Sequence, residues 1–452
     1  MKKLLLFTFI LLGLSSNAQQ VYWAEKSTGF LTTSTSTPQI SYADANTVWV
    51  YAAAGDGSGD FYQEWGRSLD AGETWTVGNI DLGSPDLAIG DIMAVSATTA
   101  YIAVFANAAG VQGGIWQTVD SGLTWQKQPS ASYNTGTDSF ANIVHFWDAN
   151  VGLTMGDPAG GYFEIYTTTD GGSNWTRIPS ASIPAPLAGE YGYTHNYEVF
   201  GDNILWFGTN RGRIFKTTDR GATWTVAQSP IGDFGSATES GAYAMTDANN
   251  GILISATHQF FRTADGCATW TEDVTPSGYY RNFDISAVPG CSEVYVTTGE
   301  DIDGIGRGSS ISSDNGATWI DINELDEFDV DGGGTLVFYD RTHGLASGFT
   351  ASSVEGGIWK WINDACPLST TSFSNESAFT VAINQTSGVL TVNGKDIANV
   401  TVYDILGKQV ASHSGTAASS VELNVSSLNS GLYMVNVTNA QGNASTIKVV
   451  KQ

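Results

Sequence analysis

The sequence predicts an all-β chain, a seven-bladed β-propeller followed by a small antiparallel β-sandwich, and three observations carry that expectation. Six segments repeat one pattern, Ser/Thr-x-Asp-x-Gly-x-Thr-Trp, with their aspartates at intervals of 50, 50, 49, 46 and 49 residues. Each interval holds roughly four short strand-like runs, the signature of a propeller blade. After Cys366 the composition turns abruptly to Ser, Thr, Val and Asn, in alternating apolar and polar order. Alternation of period two is what a half-buried strand needs.

Composition narrows the alternatives. The 452 residues include 14 Trp, 18 Tyr and 20 Phe, with only 14% charged side chains, so disorder is excluded. The 52 glycines follow no three-residue period, which excludes a collagen-like fibre. The net charge is −26, and residues 21–366 carry 41 acidic and 13 basic side chains (41 − 13 = 28), against four of each in 367–452. So acidic a body is repelled by phosphate backbones and anionic headgroups, and nucleic acid is not expected as a partner.

In chain order, residues 1–18 read as a secretory signal peptide. Lys2 and Lys3 precede the apolar run from Leu4 to Leu14, and Ser16-Asn17-Ala18 offers a small-residue cleavage site. The apolar run is too short to span a bilayer, and no other stretch approaches the ~20 apolar residues a transmembrane helix needs. Residues 19–366 are assigned to the propeller. Its boxes are SLDAGETW at 68–75 (Asp70, Gly72, Trp75), TVDSGLTW at 118–125 (Asp120, Gly122, Trp125) and TTDGGSNW at 168–175 (Asp170, Gly172, Trp175). They continue as TTDRGATW at 217–224 (Asp219, Gly221, Trp224), TADGCATW at 263–270 (Asp265, Trp270) and SSDNGATW at 312–319 (Asp314, Gly316, Trp319). Asn174 replaces the Thr of the third box, and Cys267 the Gly of the fifth.

Each box reads as a turn between two strands. The carboxylate accepts backbone N–H groups of its own loop, the Gly admits a left-handed backbone, and the Trp packs on the sheet. Strand-like runs such as GGIWQT, YFEIYT and GRIFKT lie ahead of the boxes, and alternating or apolar stretches such as NTVWVYAAA, TAYIAVFA, NILWFGTN and GILISATH lie earlier in each period. GGIWKWINDA at 356–365 aligns with GGIWQTVDSG at 113–122, which predicts a seventh blade that lacks its last strand. VYWAEKSTGF at 21–30, with Trp23 in the place of a box tryptophan, is expected to supply that strand and close the ring. Closure removes an exposed sheet edge.

The box resembles the Asp-box, or BNR repeat, of sialidases, sortilin-like propellers and propellers related to photosystem II assembly factors. In the third period, 143–175 is similar to those assembly-factor-like propellers, including the turn Gly156-Asp157-Pro158. The resemblance implies the fold and places the boxes at the blade periphery, so a structural role is expected for all six. It implies no single function, because one fold hosts many activities. Residues 367–377 read as a linker, and 378–452 as the sandwich. VTVYDILGKQV at 400–410, LNSGLYMVNV at 428–437 and the terminal IKVVKQ resemble the type A C-terminal sorting domain of the type IX secretion system. That resemblance implies export through the type IX machinery, by way of the periplasm, to the outer surface or beyond.

Candidate chemistry is sparse. A sialidase needs an arginine cluster, a Tyr–Glu nucleophile and an Arg-Ile-Pro segment ahead of the first box. Arg177-Ile178-Pro179 instead follows the third box. No nucleophile elbow, zinc-type His pair or phosphate loop appears. No cofactor is expected. The acidic loops at 55–60, 299–304 and 326–334 read as solvated surface, with calcium held by Asp326, Asp329 and Asp331 as the alternative. His145, Asp157, Tyr193, His195, Tyr279 and Arg281 are the candidate ligand residues, five of them expected on innermost strands facing the channel. Cys267, Cys291 and Cys366 allow one bridge; Cys267–Cys291 is sterically conceivable, and the pairing stays open. The expected function is non-catalytic binding or scaffolding of a glycan or protein ligand. A secreted glycan-active hydrolase is the alternative.

Overall fold

The computed structural model describes residues 21–131, 133, 139–301, 307–322, 335–366, 379–404, 407–440 and 444–451. The segments read as signal peptide and linker, and the loop with Asp326, Asp329 and Asp331, lie outside the described residues. The chain divides into two compact units, 1–366 and 367–452.

Seven sheets build the first unit, antiparallel except where Ser277–Gly278 runs parallel to Thr318–Trp319, so the seven-bladed ring is the observed architecture. Their first strands are Ile40–Tyr42, Leu87–Ala94, Ala141–Phe146, Gly192–Phe200, Gly241–Met245, Asp284–Ala287 and Leu336–Asp340. Each is the first of four strands in simple hairpin order; the sixth sheet adds Ser277–Gly278, and the seventh adds Thr35–Ser36 and Ala53–Ala54. The seventh sheet takes His343–Ser352 and Glu355–Trp361, then borrows Trp23–Ser27 from the other end of the chain, with Trp23 opposite Trp361 and Ser27 opposite Gly357. Trp23 is buried, and its indole donates to Ser309 Oγ at 2.8 Å, tying the closing strand to the sixth blade.

The core lies between blades. Trp49 and Trp65 of the first blade pack with Ile92, Ile102 and Trp116 of the second, and equivalent apolar layers recur around the ring. The repeated loops staple these layers together. Asp70 Oδ1 accepts from Ser68 Oγ and the Thr74 N–H, both at 2.8 Å, and its Oδ2 from Thr74 Oγ1 at 2.6 Å. The five other loops keep this pattern, Asn174 Nδ2 standing in for the Thr hydroxyl. Two successive left-handed residues follow each aspartate, for example Ser121 at φ 69° and Gly122 at φ 88°. Gly122 backs onto Trp65 of the preceding blade, leaving no room for a Cβ. Cys267 takes the same left-handed conformation, φ 72°, inside the interface with Trp206.

The disulfide joins Cys291 to Cys366, with Cα atoms 5.8 Å apart, rather than Cys267 to Cys291. Ring closure brings the end of the seventh blade beside the sixth, across 75 residues of sequence, while Cys267 stays a buried thiol.

The second unit is one antiparallel sheet wrapped on an apolar core. Val389–Asp404 pairs along one edge with Gln409–Asn424, and along the other first with Phe379–Asn384, then with Gly431–Asn439. Its register shifts between Asn393 and Ile397 let Leu390 and Val392 share a core with Val400, Val402, Val435 and Val437.

Candidate functional site

Two concavities flank the inner strands. The larger, about 970 Å³, is a groove where the inner strands begin, between the second, third and fourth blades. Its walls are loop 106–113, the Phe140 and Tyr133 rings, the Asp157-Pro158 turn and loop 187–191. Phe140 stacks on Phe105 at 4.4 Å, and Phe105 meets the exposed Phe61 edge-on at 5.6 Å, so an aromatic row runs out of the groove. Exposed Tyr191 stands on the opposite wall, edge-on to Tyr193 at 5.4 Å.

Polar contacts hold these walls. Asp157 Oδ1 accepts from Asn142 Nδ2 at 2.7 Å and from the Gly192 N–H at 3.1 Å, joining the third blade to the fourth. Burial pushes its carboxyl up to about 6 against those two donors. Glu190 is buried, which opposes its charge, yet the Arg213 guanidinium, the Leu187 N–H and the Thr209 hydroxyl hold it below the usual carboxylate range. Loop 187–191 is thereby fixed. A rigid aromatic wall facing a rigid polar one is the arrangement that recognition sites use.

The second concavity, about 510 Å³, is the axial channel. Inner-strand residues of every blade line it, including Ser41, Met93, His145, Glu198, Met245, Asp284 and Phe338. His145 is buried, its Nε2 has no hydrogen-bond partner, and burial lowers its pKa to about 3. His195 has the left-handed φ of 59° within a bulge between Gly192 and Tyr197, and its Nε2 meets the Tyr51 hydroxyl. Burial lowers its pKa to about 4, so both imidazoles are neutral at physiological pH. A non-glycine in that conformation is a strained position of the kind that gathers at functional sites.

The six candidate residues are therefore not one site. His145 and His195 reach the channel, Asp157 lines the groove, and Tyr193 stands behind the groove wall, donating to Asp233 at 2.6 Å. Tyr279 and Arg281 correct the expected register, because the sixth inner strand begins only at Asp284. Tyr279 is exposed, and Arg281 is buried in ion pairs with Asp321 at 3.1 Å and Asp301 at 3.8 Å. A guanidinium so deep is stable only when paired.

Sequence reading missed Asp91, Glu198 and Asp284. Asp91 and Asp284 each accept their following N–H at 2.9 Å, and each also reaches the next blade's inner strand. The signal was present: Asp91-Ile92-Met93-Ala94 and Asp284-Ile285-Ser286-Ala287 share one pattern at equivalent places in two blades. Among the described residues no group of three His, Cys, Asp or Glu side chains is placed to hold a metal ion. Among them, too, no helix is long and apolar enough to cross a membrane.

Residues 379–452 match the family described as secretion system C-terminal sorting domain, which indicates export to the cell surface or secretion. Residues 105–243 match the family described as photosynthesis system II assembly factor YCF48. No curated protein matches the chain. Among solved structures, one described as YCF48 bound to D1 peptide is 16% identical with a TM-score of 0.52, covering 76% of this chain and 98% of that one. YCF48 from Cyanidioschyzon merolae is 14% identical with a TM-score of 0.48, covering 76% and 99%. PorZ, a surface component of the type IX secretion system of Porphyromonas gingivalis, is 12% identical with a TM-score of 0.32, covering 92% and 70%. At such identities the likeness is one of fold.

Proposed function

We propose that this chain is an exported, non-catalytic binding protein that holds an extended peptide in the groove between its second and fourth blades. The groove carries the reading: it has a volume of about 970 Å³, is walled by Phe140 and Tyr191, and is lined along 106–113 by a loop rich in small residues. Aromatic anchors on the walls of a narrow groove suit an extended chain. The propeller described as binding a peptide supports the same use of this fold. A signal peptide at residues 1–18 would take the chain to the periplasm, and the sorting domain onward through the type IX machinery.

A thermal-shift screen of the full chain against a peptide library and soluble glycans tests this. A ligand at 100 times its dissociation constant adds about 2.7 kcal/mol of stability. Peptide hits that lose at least tenfold in affinity with Tyr191→Ala sustain the reading. Hits confined to glycans, or turnover of any hit, replace it with a glycan-binding or a hydrolytic one.

A further inference from the structure

Independently of the groove, the axial channel has its own chemistry. Glu198 and Asp284 face it from the fourth and sixth blades, close enough that the charge of Asp284 disfavours that of Glu198. Both are half-buried on the channel wall, and desolvation by the surrounding protein disfavours their charge. Two further polar atoms on the wall are buried without a partner, His145 Nε2 and the Tyr42 hydroxyl. At the mouth stand the exposed rings of Tyr339 and Phe200, with Tyr42 5.5 Å from Tyr339 between centroids.

Every one of these groups can accept a hydrogen bond or face a positive charge. Carboxylates and a neutral imidazole accept, and aromatic faces attract cations. Among the described residues lining the channel there is no Lys or Arg to satisfy them. The ring around them carries 41 acidic against 13 basic side chains over residues 21–366, a field that draws cations inward. A divalent metal is a poorer occupant, since calcium asks for six to eight oxygens and the described residues offer no three-ligand group.

We propose that the channel binds an organic cation, with a primary ammonium or guanidinium group seated between Glu198 and Asp284 beneath the Tyr339 and Phe200 rings. Such a group brings several N–H donors and one charge to a cavity whose two carboxyls meet no Lys or Arg among the described lining residues. Its source is either the basic side chain of a partner or a free polyamine, which share this chemistry.

Binding also shifts protons. The titratable groups facing the seat are Tyr42, His145, His195, Tyr197, Glu198, Asp284 and Tyr339, with buried Asp91 behind Tyr197. Burial raises both seat carboxyls, Asp284 to about 7, so a bound cation draws them into the ionised form and releases protons.

Titration calorimetry of the full chain at pH 6.5 tests the proposal, with 1,5-diaminopentane and the capped tripeptide Gly-Lys-Gly as probes and 1,5-pentanediol and calcium chloride as controls. The proposal expects saturable binding of an amine probe, proton release seen as a buffer-dependent heat, and at least a tenfold loss in Glu198→Gln or Asp284→Asn. Tyr339→Ala, on the exposed rim, is expected to weaken binding without disturbing the fold. Tighter binding of the tripeptide points to a basic side chain as source, and tighter binding of the diamine to a free polyamine. No amine binding, equal binding of the diol, binding of calcium alone, or affinity unchanged in folded Glu198→Gln and Tyr339→Ala overturns it.

Discussion

Asp284 accepts the backbone N–H of Leu336 at 2.7 Å, so a carboxylate of the sixth blade completes the inner strand of the seventh. Asp91 does the same for Val144 between the second and third blades, at 2.9 Å. Two blades thus use one device. Each carboxylate satisfies an N–H that the strand's own ladder leaves over, in a place where an unpaired donor would be costly.

The device titrates. Burial raises Asp284 to about 7, well above the ~3.9 of an unfolded chain. Between those values the folded state keeps a proton that the unfolded state has lost, so this group lowers stability as pH rises from about 4 to about 7. Asp284→Asn removes the titration. Melting temperatures of the parent minus the variant are expected to fall across that window and level off above it; a constant difference would contradict the assignment.

Gly122 has φ 88°, and a Cβ there would lie 2.4 Å from the Trp65 ring. Gly122→Ala is expected to cost about 2–5 kcal/mol, the sum of left-handed strain and overpacking. Gly57 has φ 72° with nothing within 4 Å of a Cβ, so Gly57→Ala carries strain alone and is expected to cost about 1–2 kcal/mol. Urea denaturation compares the two, and equal losses would remove the blade contact from the explanation.

Closure of the ring rests on Trp23, buried against Phe338 and Trp361. Trp23→Ala is expected to lose about 3–5 kcal/mol and to expose the edge of Glu355–Trp361, an aggregation hazard. Light scattering during storage, together with denaturation, checks both parts. A monodisperse variant with unchanged stability would show the closing strand to be dispensable.

Thiol counting tests the covalent arrangement. Cys267 is buried, and burial pushes its thiol up, so iodoacetamide is expected to label no site in the native protein and one after denaturation. Reduction should raise the denatured count to three. A cross-link closing 75 residues contributes about 2–4 kcal/mol, which reduction should remove. Labelling of Cys291 before reduction would refute the pairing.

Much of the fold was legible because the repeated loop is a local code. Ser or Thr, Asp, Gly and Thr in fixed order define a hydrogen-bonded turn within eight residues, whatever surrounds it. Ring closure was legible for the same reason, since VYWAEK at the start looks like a fourth strand lacking its first three. The disulfide was not, because only the closed ring brings Cys291 to Cys366. Glu198 and Asp284 were passed over because an acid between apolar neighbours, as in YEVF and FDIS, has the same alternation as a strand with a solvated face. In a propeller that second face is another blade or the channel. Tyr279 and Arg281 were misplaced because residues 279–283 precede the strand instead of belonging to it, and alternation alone does not mark where pairing starts.

The groove is tested most directly by hydrogen exchange of the full chain, with and without the peptide that gives the largest thermal shift. The account predicts slowed exchange at 106–113 and 187–191, the two groove walls, with the repeated loops unchanged. Slowed exchange confined to the outer loops, with both walls unaffected, would contradict it.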